Sequence, residues 1–448
     1  MKIAFPFFIL KNAAALTLAA AMTVGLSACA AGGGTEQSGG AAAAVSEEKV
    51  TLQYMTLSDG VLFDAETRIF KGVTDKYPNI VVETTSVPGV DTFITALKAK
   101  FAAGEEPDMY SFQAGTRIRE FAKEGLLKDI TDEPYMDRVN DADKAFNSWQ
   151  GRIYGIPAKI EYAGLFVNNE VLAKYPDVKA PTNFEEFKAA CEQLRAQGFE
   201  YPALLAGKDI NNVSQINFQY LATIAVPQNP DYYQELIDGT RRFSDQWVEE
   251  LFGKYGEVLE YVAEDRLGVD NDEAIKRFIR GEGVFWFAHG STIQRIREMA
   301  GEEFDFSLYP TTLQNADETR YFLCAQALAL AVVESSKHPE EVRAAVTEFL
   351  SPEACDIIAR DGKAMPAMKN SNVLPDKSLE PCREWFDSGV KVPHADLVWV
   401  PGIKDIMKQV TQKWIMGDDL QSCLDEWESQ HRRLLEANPD FVTNYGKE

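Results

Sequence analysis

From Lys49 onward, segments that alternate apolar and polar residues take turns with segments that carry an apolar stripe at helical spacing, and this order restricts the chain to an α/β fold. Val50 to Thr56 alternates as a strand does, and Phe63, Ile69, Phe70, Val73 and Tyr77 then fall on a helical face that stops before Pro78. Ile80 to Val87 is a second strand, rich in Val and Thr. Asp91 is placed to cap a helix carrying Phe93, Leu97 and Phe101, which Gly104 and Pro107 end. Met109 to Phe112 is a third strand, followed by a helix through Ile118 and Phe121 that Gly125 closes. This alternation predicts a mostly parallel sheet covered on both faces, with ligand beyond the carboxyl ends of its strands. Those ends are Leu57, Ser58 and Asp59 after the first strand, and Gln113 to Thr116 after the third.

A second α/β section follows Pro157. It has a strand from Gly164 to Asn168, helices around Phe184 to Gln197, Glu249 to Ala263 and Glu273 to Arg280, and a buried strand from Val284 to Ala288. Tyr321 to Val333 is apolar and uncharged, as a central strand would be, with an amphipathic helix at Val342 to Leu350 behind it. The tail from Ile403 reads as helical to about Glu436. A hydrophobic content of 45%, with Trp 7, Tyr 16 and Phe 26, is ample for packed cores. Some 400 residues exceed what one core usually covers, so two lobes are expected, roughly as about 100–200 residues make a domain.

Ahead of this lies a leader. Lys2 and Lys11 precede an apolar stretch from Ala13 to Leu26, short for a membrane span, and Leu26, Ser27, Ala28 and Cys29 form a lipobox. The segment resembles that of bacterial lipoproteins, whose cysteine is acylated and becomes the first residue of the mature chain. This makes 1–28 a signal peptide and attaches the protein to a membrane through lipid on Cys29; an ordinary signal peptide or an uncleaved anchor are the alternatives. Residues 29–48 are almost all Ala, Gly, Ser, Thr, Gln and Glu, a flexible tether with a reach of roughly 25 Å.

Charge narrows the partners. Lys+Arg 45 against Asp+Glu 69 gives a net charge of -24, which argues against nucleic acid or anionic lipid as the main partner. Cys191 and Cys324 read as buried small hydrophobes, while Cys355 and Cys382 are open to pairing in an oxidising compartment. Neither the cysteines nor His289, His338, His394 and His431 show metal-ligand spacing, so no metal or cofactor is expected.

The order of short motifs resembles that of the family-one extracellular solute-binding proteins, the substrate receptors of bacterial carbohydrate ABC importers. Trp149, Gly151, Tyr154, Gly155, Ile156 and Pro157 are similar to that family's hinge segment, with Arg152 where lysine is usual. Leu165 to Asn169, then Pro181, Thr182, Phe184, Glu185 and Glu186, resemble the strand and helix start that follow. Phe278, Gly281, Glu282 and Val284 to Gly290 occupy the place of a further family element. Ala345, Phe349, Leu350, Ser351, Glu353, Gly362 and Pro366 resemble its last helix and loop, with Met365 in place of Ile. The resemblance implies a two-lobed, type II periplasmic-binding-protein-like fold with ligand in the cleft between lobes. The first lobe is placed at 46–157 plus 311–350 and the second at 158–310 plus 351–448. It further implies a monomeric, non-enzymatic receptor, lipid-anchored on the extracytoplasmic face, that closes on a mono- or oligosaccharide and presents it to the importer's permease subunits.

A sugar-binding cleft needs planar polar side chains and flat rings on loops at strand ends or near the hinge. Ser58, Asp59 and Gln113 meet that test in the first lobe. Glu161 and Tyr162 follow the hinge, Trp286 and His289 lie where the resembled family often presents an aromatic residue, and Trp399 sits in a loop before Pro401 and Gly402. Asp59 has a second reading as a helix cap and Trp286 as core packing.

Two other readings compete. A same-fold receptor for a polyol phosphate would want clustered basic residues, for which Arg117 and Arg119 are the first-lobe pair, and one for a polyamine would use Asp59, Glu161 and Asp396. A secreted glycan hydrolase would need two carboxylates at working separation. The lipobox carries a direct test: Cys29→Ser should release the protein into the medium with ligand affinity intact, and retention of the variant in the membrane fraction would overturn the reading.

Overall fold

The computed structural model describes residues 48–369, 371, 373–388, 391–394, 399–439 and 441. The lipobox with Cys29, nearly all of the tether, and Asp396 lie outside them. The strands are β1 (Val50–Thr56), β2 (Ile80–Ser86), β3 (Met109–Gln113), β4 (Ser148–Trp149), β5 (Arg152–Ile153), β6 (Ile156–Asn168), β7 (Ala203–Leu204), β8 (Phe285–His289), β9 (Phe306–Tyr309), β10 (Phe322–Val332) and β11 (Lys391–Val392). Nine of them form one sheet in the order β2-β1-β3-β10-β6-β8-β7, with β9 on β6 and β11 on β10, while β4 and β5 make a separate hairpin.

The sheet is parallel where strand and helix alternate: β1 pairs with β2 and β3, and β7 with β8. It is antiparallel at its centre, where β10 pairs with both β3 and β6, and β6 with β8. That departs from the expected mostly parallel arrangement. β6 and β10 pass between the two halves of the molecule in opposite senses, so the crossing, rather than a strand-helix-strand unit, sets their direction. β6 also starts at Ile156, well before the expected Gly164, with Pro157 tolerated at its second residue.

Each half is a sheet buried on both faces. In β1, Leu52 and Tyr54 pack with Ile69, Phe70 and Val73 of the helix Gly60–Lys76, while Met55 turns to Phe93, Leu97 and Phe112 on the other face. In β8, Phe285 and Phe287 join Phe187, Leu251 and Tyr255, while Trp286 turns to Phe166 and Phe278. Leu313 and Leu323 belong to this second core, although 311–350 was expected with the first lobe. Conversely the helix Pro352–Arg360, expected in the second lobe, puts Ala354, Cys355 and Ile358 into the first-lobe core. Only Leu350 and Ser351 separate it from the helix Pro339–Phe349, too short a link to reach the other lobe.

Local signals explain two further differences. The helix Val90–Ala103 is preceded by Gly89 at φ 94, which leaves Asp91 in the first turn, favouring the helix dipole rather than capping it. The C-terminal tail is two helices, Ile403–Ile415 and Leu420–Ala437, broken at Gly417 (φ 110), with Asp419 accepting the Ser422 N–H at 3.0 Å to start the second.

Cys191, Cys324, Cys355, Cys382 and Cys423 are all free and buried. Cys355 and Cys382 do not pair; they sit in different cores, and the Cys382 thiol donates to the Leu308 carbonyl at 3.2 Å. In the native Cys29→Ser protein a thiol reagent should therefore react with none of them within minutes and with all of them in denaturant; fast native labelling would contradict this packing.

Candidate functional site

The register of the sheet gathers the site. Thr56 of β1 faces Ser86 of β2 and Ser111 of β3, so the loops after β1 and β3 leave the sheet side by side. Gln113 lies opposite Leu328 of β10, Glu161 of β6 opposite Ala325, and Ala163 opposite His289 at the end of β8. A bulge in β10 between Gln326 and Leu328 interrupts the pairing where the strands pass from one half to the other. Behind it, Asn147 accepts the Gly115 N–H at 2.9 Å and donates to the Gln326 side chain at 2.5 Å, tying the β3 loop to the crossing strand.

Two adjoining cavities of about 400 Å³ and 470 Å³ occupy this cleft and share Leu57, Glu161, His289, Ser291 and Leu328. Ser58, Asp59 and Tyr162 line the first, Gln113 the second, and Glu161 and His289 both. Asp59 is exposed and, although it precedes the helix Gly60–Lys76, makes no side-chain cap bond, so its carboxylate stays open to the cleft. Ser58 lines the wall with its polar atoms already engaged. Its hydroxyl donates to Glu66 Oε1 at 2.8 Å, its N–H to Thr56 Oγ1 at 3.0 Å, and its carbonyl accepts from Ser86 at 2.7 Å. It fixes the loop that presents Asp59.

Glu161 is the electrostatic centre. Lys159 Nζ lies 3.2 Å from Oε1 and His289 Nε2 3.7 Å from Oε2. Burial alone would push its carboxyl up, but the His289, Lys159 and His394 side chains outweigh it and hold the group well below the usual carboxylate range. The Ser291 N–H donates to His289 Nδ1 at 3.2 Å, which places the imidazole hydrogen on Nε2, toward Glu161. Gly290 makes this possible. Its N–H donates to the Tyr162 carbonyl at 2.7 Å, and a Cβ there would lie 2.2 Å from the Tyr162 ring.

Trp286 and Trp399 are not in the cleft. Trp286 is 0% exposed because β8 is an interior strand with both faces covered; its Nε1 donates to Asn212 Oδ1 at 3.1 Å, and Asn212 in turn lines the second cavity. Trp399 is 1% exposed, stacked on Phe243 at 5.7 Å, and donates to His431 Nε2 at 3.1 Å. Burial, with Arg432 nearby, pushes the His431 pKa down to about 4, which leaves its ring nitrogen free to accept.

Sequence reasoning missed the amide-rich run Asp209, Asn211, Asn212 and Gln215, along with Asn271, all of which line the second cavity. The signal was present: Asn-Asn-Val-Ser-Gln at the start of an otherwise apolar, buried helical stretch has no packing reason to be polar. Arg297 and Asp376, also missed, close the floor of the first cavity with a buried bidentate pair at 2.7 and 2.8 Å. Arg117 pairs with Glu120 at 2.8 Å, and neither it nor Arg119 lines either cavity. Among the described residues no cluster of His, Cys, Asp and Glu is arranged to hold a metal, and no helix is long and apolar enough to cross a membrane.

Two α/β halves joined by crossing strands over a polar cleft define a type II solute-binding fold. The profile of the bacterial extracellular solute-binding proteins matches residues 61–354, and the chain belongs to that family. The glucose-binding protein GlcS of Saccharolobus solfataricus is 27% identical over 194 residues, covering 40% of this chain and 34% of its own length. The chain thus spans well under two thirds of that relative. The apo form of RafE from Streptococcus pneumoniae superposes with a TM-score of 0.74 at 18% identity over 87% of this chain and 99% of that one. An open conformation of a binding protein, MsmE, from Bacillus subtilis gives 0.72 at 16% identity over 88% and 100%.

Beneath Ser58, Glu66 is 1% exposed, and burial, set against hydrogen bonds from Ser58, Thr56 and Tyr54, raises its pKa to about 7 from 4.5. The folded chain therefore holds this proton more tightly than the unfolded one. The stabilisation is complete below pH 4.5 and is lost as pH rises through 7. Relative to Glu66→Gln, the wild type should lose up to about 3 kcal/mol of stability between pH 5 and 8, read by urea denaturation; parallel pH dependence of the two proteins would contradict it.

Proposed function

We propose that the chain is a monomeric, non-catalytic receptor that binds a carbohydrate in this cleft and presents it to the permease subunits of an ABC importer, held at the extracytoplasmic face by lipid on Cys29. The observation that carries the reading is the cleft wall itself. Planar amides and carboxylates from several strand ends and helix starts converge there, with Tyr162 and Phe218 as its aromatic carbocycles. Such groups suit hydroxyls, which both donate and accept. The name of the relative GlcS points the same way.

The competing chemistries find less support. A polyamine would seek uncompensated carboxylates, yet Glu161 is already met by Lys159 and His289, and Asp396 lies outside the described residues. For a phosphate, the pair Arg117 and Arg119 stands away from both cavities, and of the cations that line them Lys159 meets Glu161, Arg297 meets Asp376 and Lys408 meets Asp405. A glycosidase needs a carboxyl with a raised pKa facing its substrate. Here Glu161 is held down, Asp376, though burial opposes it, is held down by Arg297, and the raised Glu66 is sealed beneath Ser58.

Isothermal titration of the Cys29→Ser protein against hexoses and their oligosaccharides should give saturable heat with at least one series, weakened roughly tenfold or more by Glu161→Ala, a loss of about 1.4 kcal/mol. No heat with any sugar, alongside binding of spermidine or a polyol phosphate, would replace the reading.

A further inference from the structure

Ser58 lines the first cavity, and the carboxyl of Glu66 lies directly behind it. Glu66 itself is 1% exposed and lines neither cavity. Its two oxygens are held by different parts of the chain: Oε1 accepts the hydroxyl of Ser58, in the loop after β1, at 2.8 Å, and Oε2 accepts the hydroxyl of Tyr54, in β1 itself, at 3.2 Å. Both are bonds of an ionised carboxyl, which only accepts. A protonated Glu66 carries a hydrogen of its own, and Ser58 or Tyr54 must then turn to accept it. Tyr54 can turn, because Ser111 of β3, 0% exposed with a hydroxyl that makes no hydrogen bond, stands beside it to take the hydrogen it gives up. The cluster thus accommodates the carboxyl with or without its proton, and the loop from Leu57 to Asp59 is fastened to it through Ser58.

The ionisable groups that bear on this carboxyl are Tyr54 and, from β6, Lys159. Lys159 favours the ionised form, but its Nζ lies 3.2 Å from Glu161 and its charge is in large part taken up there. On the other elements packed against the helix Gly60–Lys76, Glu83 of β2 accepts from Gln53, Glu348 pairs with Lys76 and Asp361 with Arg68, and Glu341 is buried in the helix Pro339–Phe349. Burial is the largest influence on Glu66 and brings its pKa to about 7, where a modest change of surroundings alters how much of it is protonated at neutral pH.

We propose that Glu66 is a positioning residue of the cleft that takes up a proton when ligand binds: it anchors the loop from Leu57 to Asp59 through Ser58, and ligand laid over that wall drives the carboxyl toward its neutral form. This rests on the carbohydrate reading and adds to it a coupled proton. Glu66 is one side chain away from the water of the first cavity, and replacing that water with ligand deepens the burial that already favours the neutral carboxyl. The exposed carboxylate of Asp59, at the end of the same loop, acts in the same direction, because its repulsion of an ionised Glu66 is screened less once water leaves. The proton comes from the buffer. Since the liganded protein binds it more tightly than the free one, affinity is greatest below pH 7 and declines as pH rises above it.

The experiment uses the Cys29→Ser protein and its Glu66→Gln, Tyr54→Phe and His289→Gln variants, with a thermal transition recorded for each. They are titrated calorimetrically with glucose, galactose, maltose and raffinose in phosphate from pH 6 to 8 and, at pH 7, also in imidazole, whose heat of ionisation differs. With the sugar that binds best, the expected result is uptake of about a quarter of a proton or more per ligand at pH 7 and affinity about twofold or more weaker at pH 8 than at pH 6. Glu66→Gln, which has no charge to lose, should show neither. Glu161 and His289 line both cavities and are also covered by ligand, so His289→Gln is the control and should keep the uptake. Tyr54→Phe removes a bond to the ionised form and should move the decline in affinity to higher pH, a shift that a loop merely loosened would not produce and that remains readable if Glu66→Gln does not fold. Uptake that survives Glu66→Gln and is lost in His289→Gln, a decline that Tyr54→Phe leaves in place, or equal affinity at pH 6 and 8 without uptake overturns the inference but leaves the carbohydrate reading standing. Absence of binding by every sugar removes that reading and this one with it.

Discussion

The cleft depends on the pairing of β6 with β10. These are the two long strands of the sheet, they run antiparallel to each other, and each has one part in the first core and one in the second. Because a pair of hydrogen-bonded strands fixes its partners' register residue by residue, the loops after β1 and β3 are set against Glu161 of β6 and His289 of β8 without any side chain having to arrange it. The bulge beside Gln326 and the Asn147 bridge stand at the passage between the halves, where the pairing is locally interrupted. A hinge placed there can bend while both cores stay packed.

The chemistry of the cleft follows from what the cores have already consumed. On the first-lobe side the Ser58 hydroxyl is committed inward to Glu66 while Asp59 stays exposed, and the Arg297–Asp376 pair closes the floor from the second half. On the second-lobe side the run from Asp209 to Gln215 lines the second cavity as it enters a buried helical stretch, with Asn212 accepting from Trp286 and the Ala206 N–H and Gln215 donating to the Asn211 carbonyl. Glu161 lies between these surfaces with Lys159 Nζ at 3.2 Å and His289 Nε2 at 3.7 Å, an ionised group placed to accept hydrogen bonds.

Much of the fold was legible because its signals are local. The periodicity of β1 and the helix Gly60–Lys76, the turn residues around Gly104 and Gly125, and the order of strands and helices all act within a few residues. Asp59, Gln113 and His289 were reachable by asking which polar residues stand at strand ends, and Glu161 and Tyr162 by their place just after the hinge Pro157, although both lie within β6. The same rule failed for Trp286 because it cannot tell an edge strand from an interior one, and for Trp399 because a loop without periodicity can still be buried by helices distant in sequence. The assignment of 352–360 to the second lobe failed because the path of a connection is decided by the length of its link, here Leu350 and Ser351, and by which groove its apolar stripe fits.

By itself the sequence determined the alternating α/β class, the expectation of more than one core and a net charge of -24, because each of these is a property of composition or of short-range pattern. Only the tertiary structure decided that the centre of the sheet is antiparallel, that both candidate tryptophans are core residues, and that the Ser58 hydroxyl serves Glu66. The reason is physical: which polar atoms remain for a ligand depends on which ones the folded protein has already satisfied. That balance is struck between residues such as Ser58 and Glu66 or Trp286 and Asn212, whose proximity is set by the packing of whole elements.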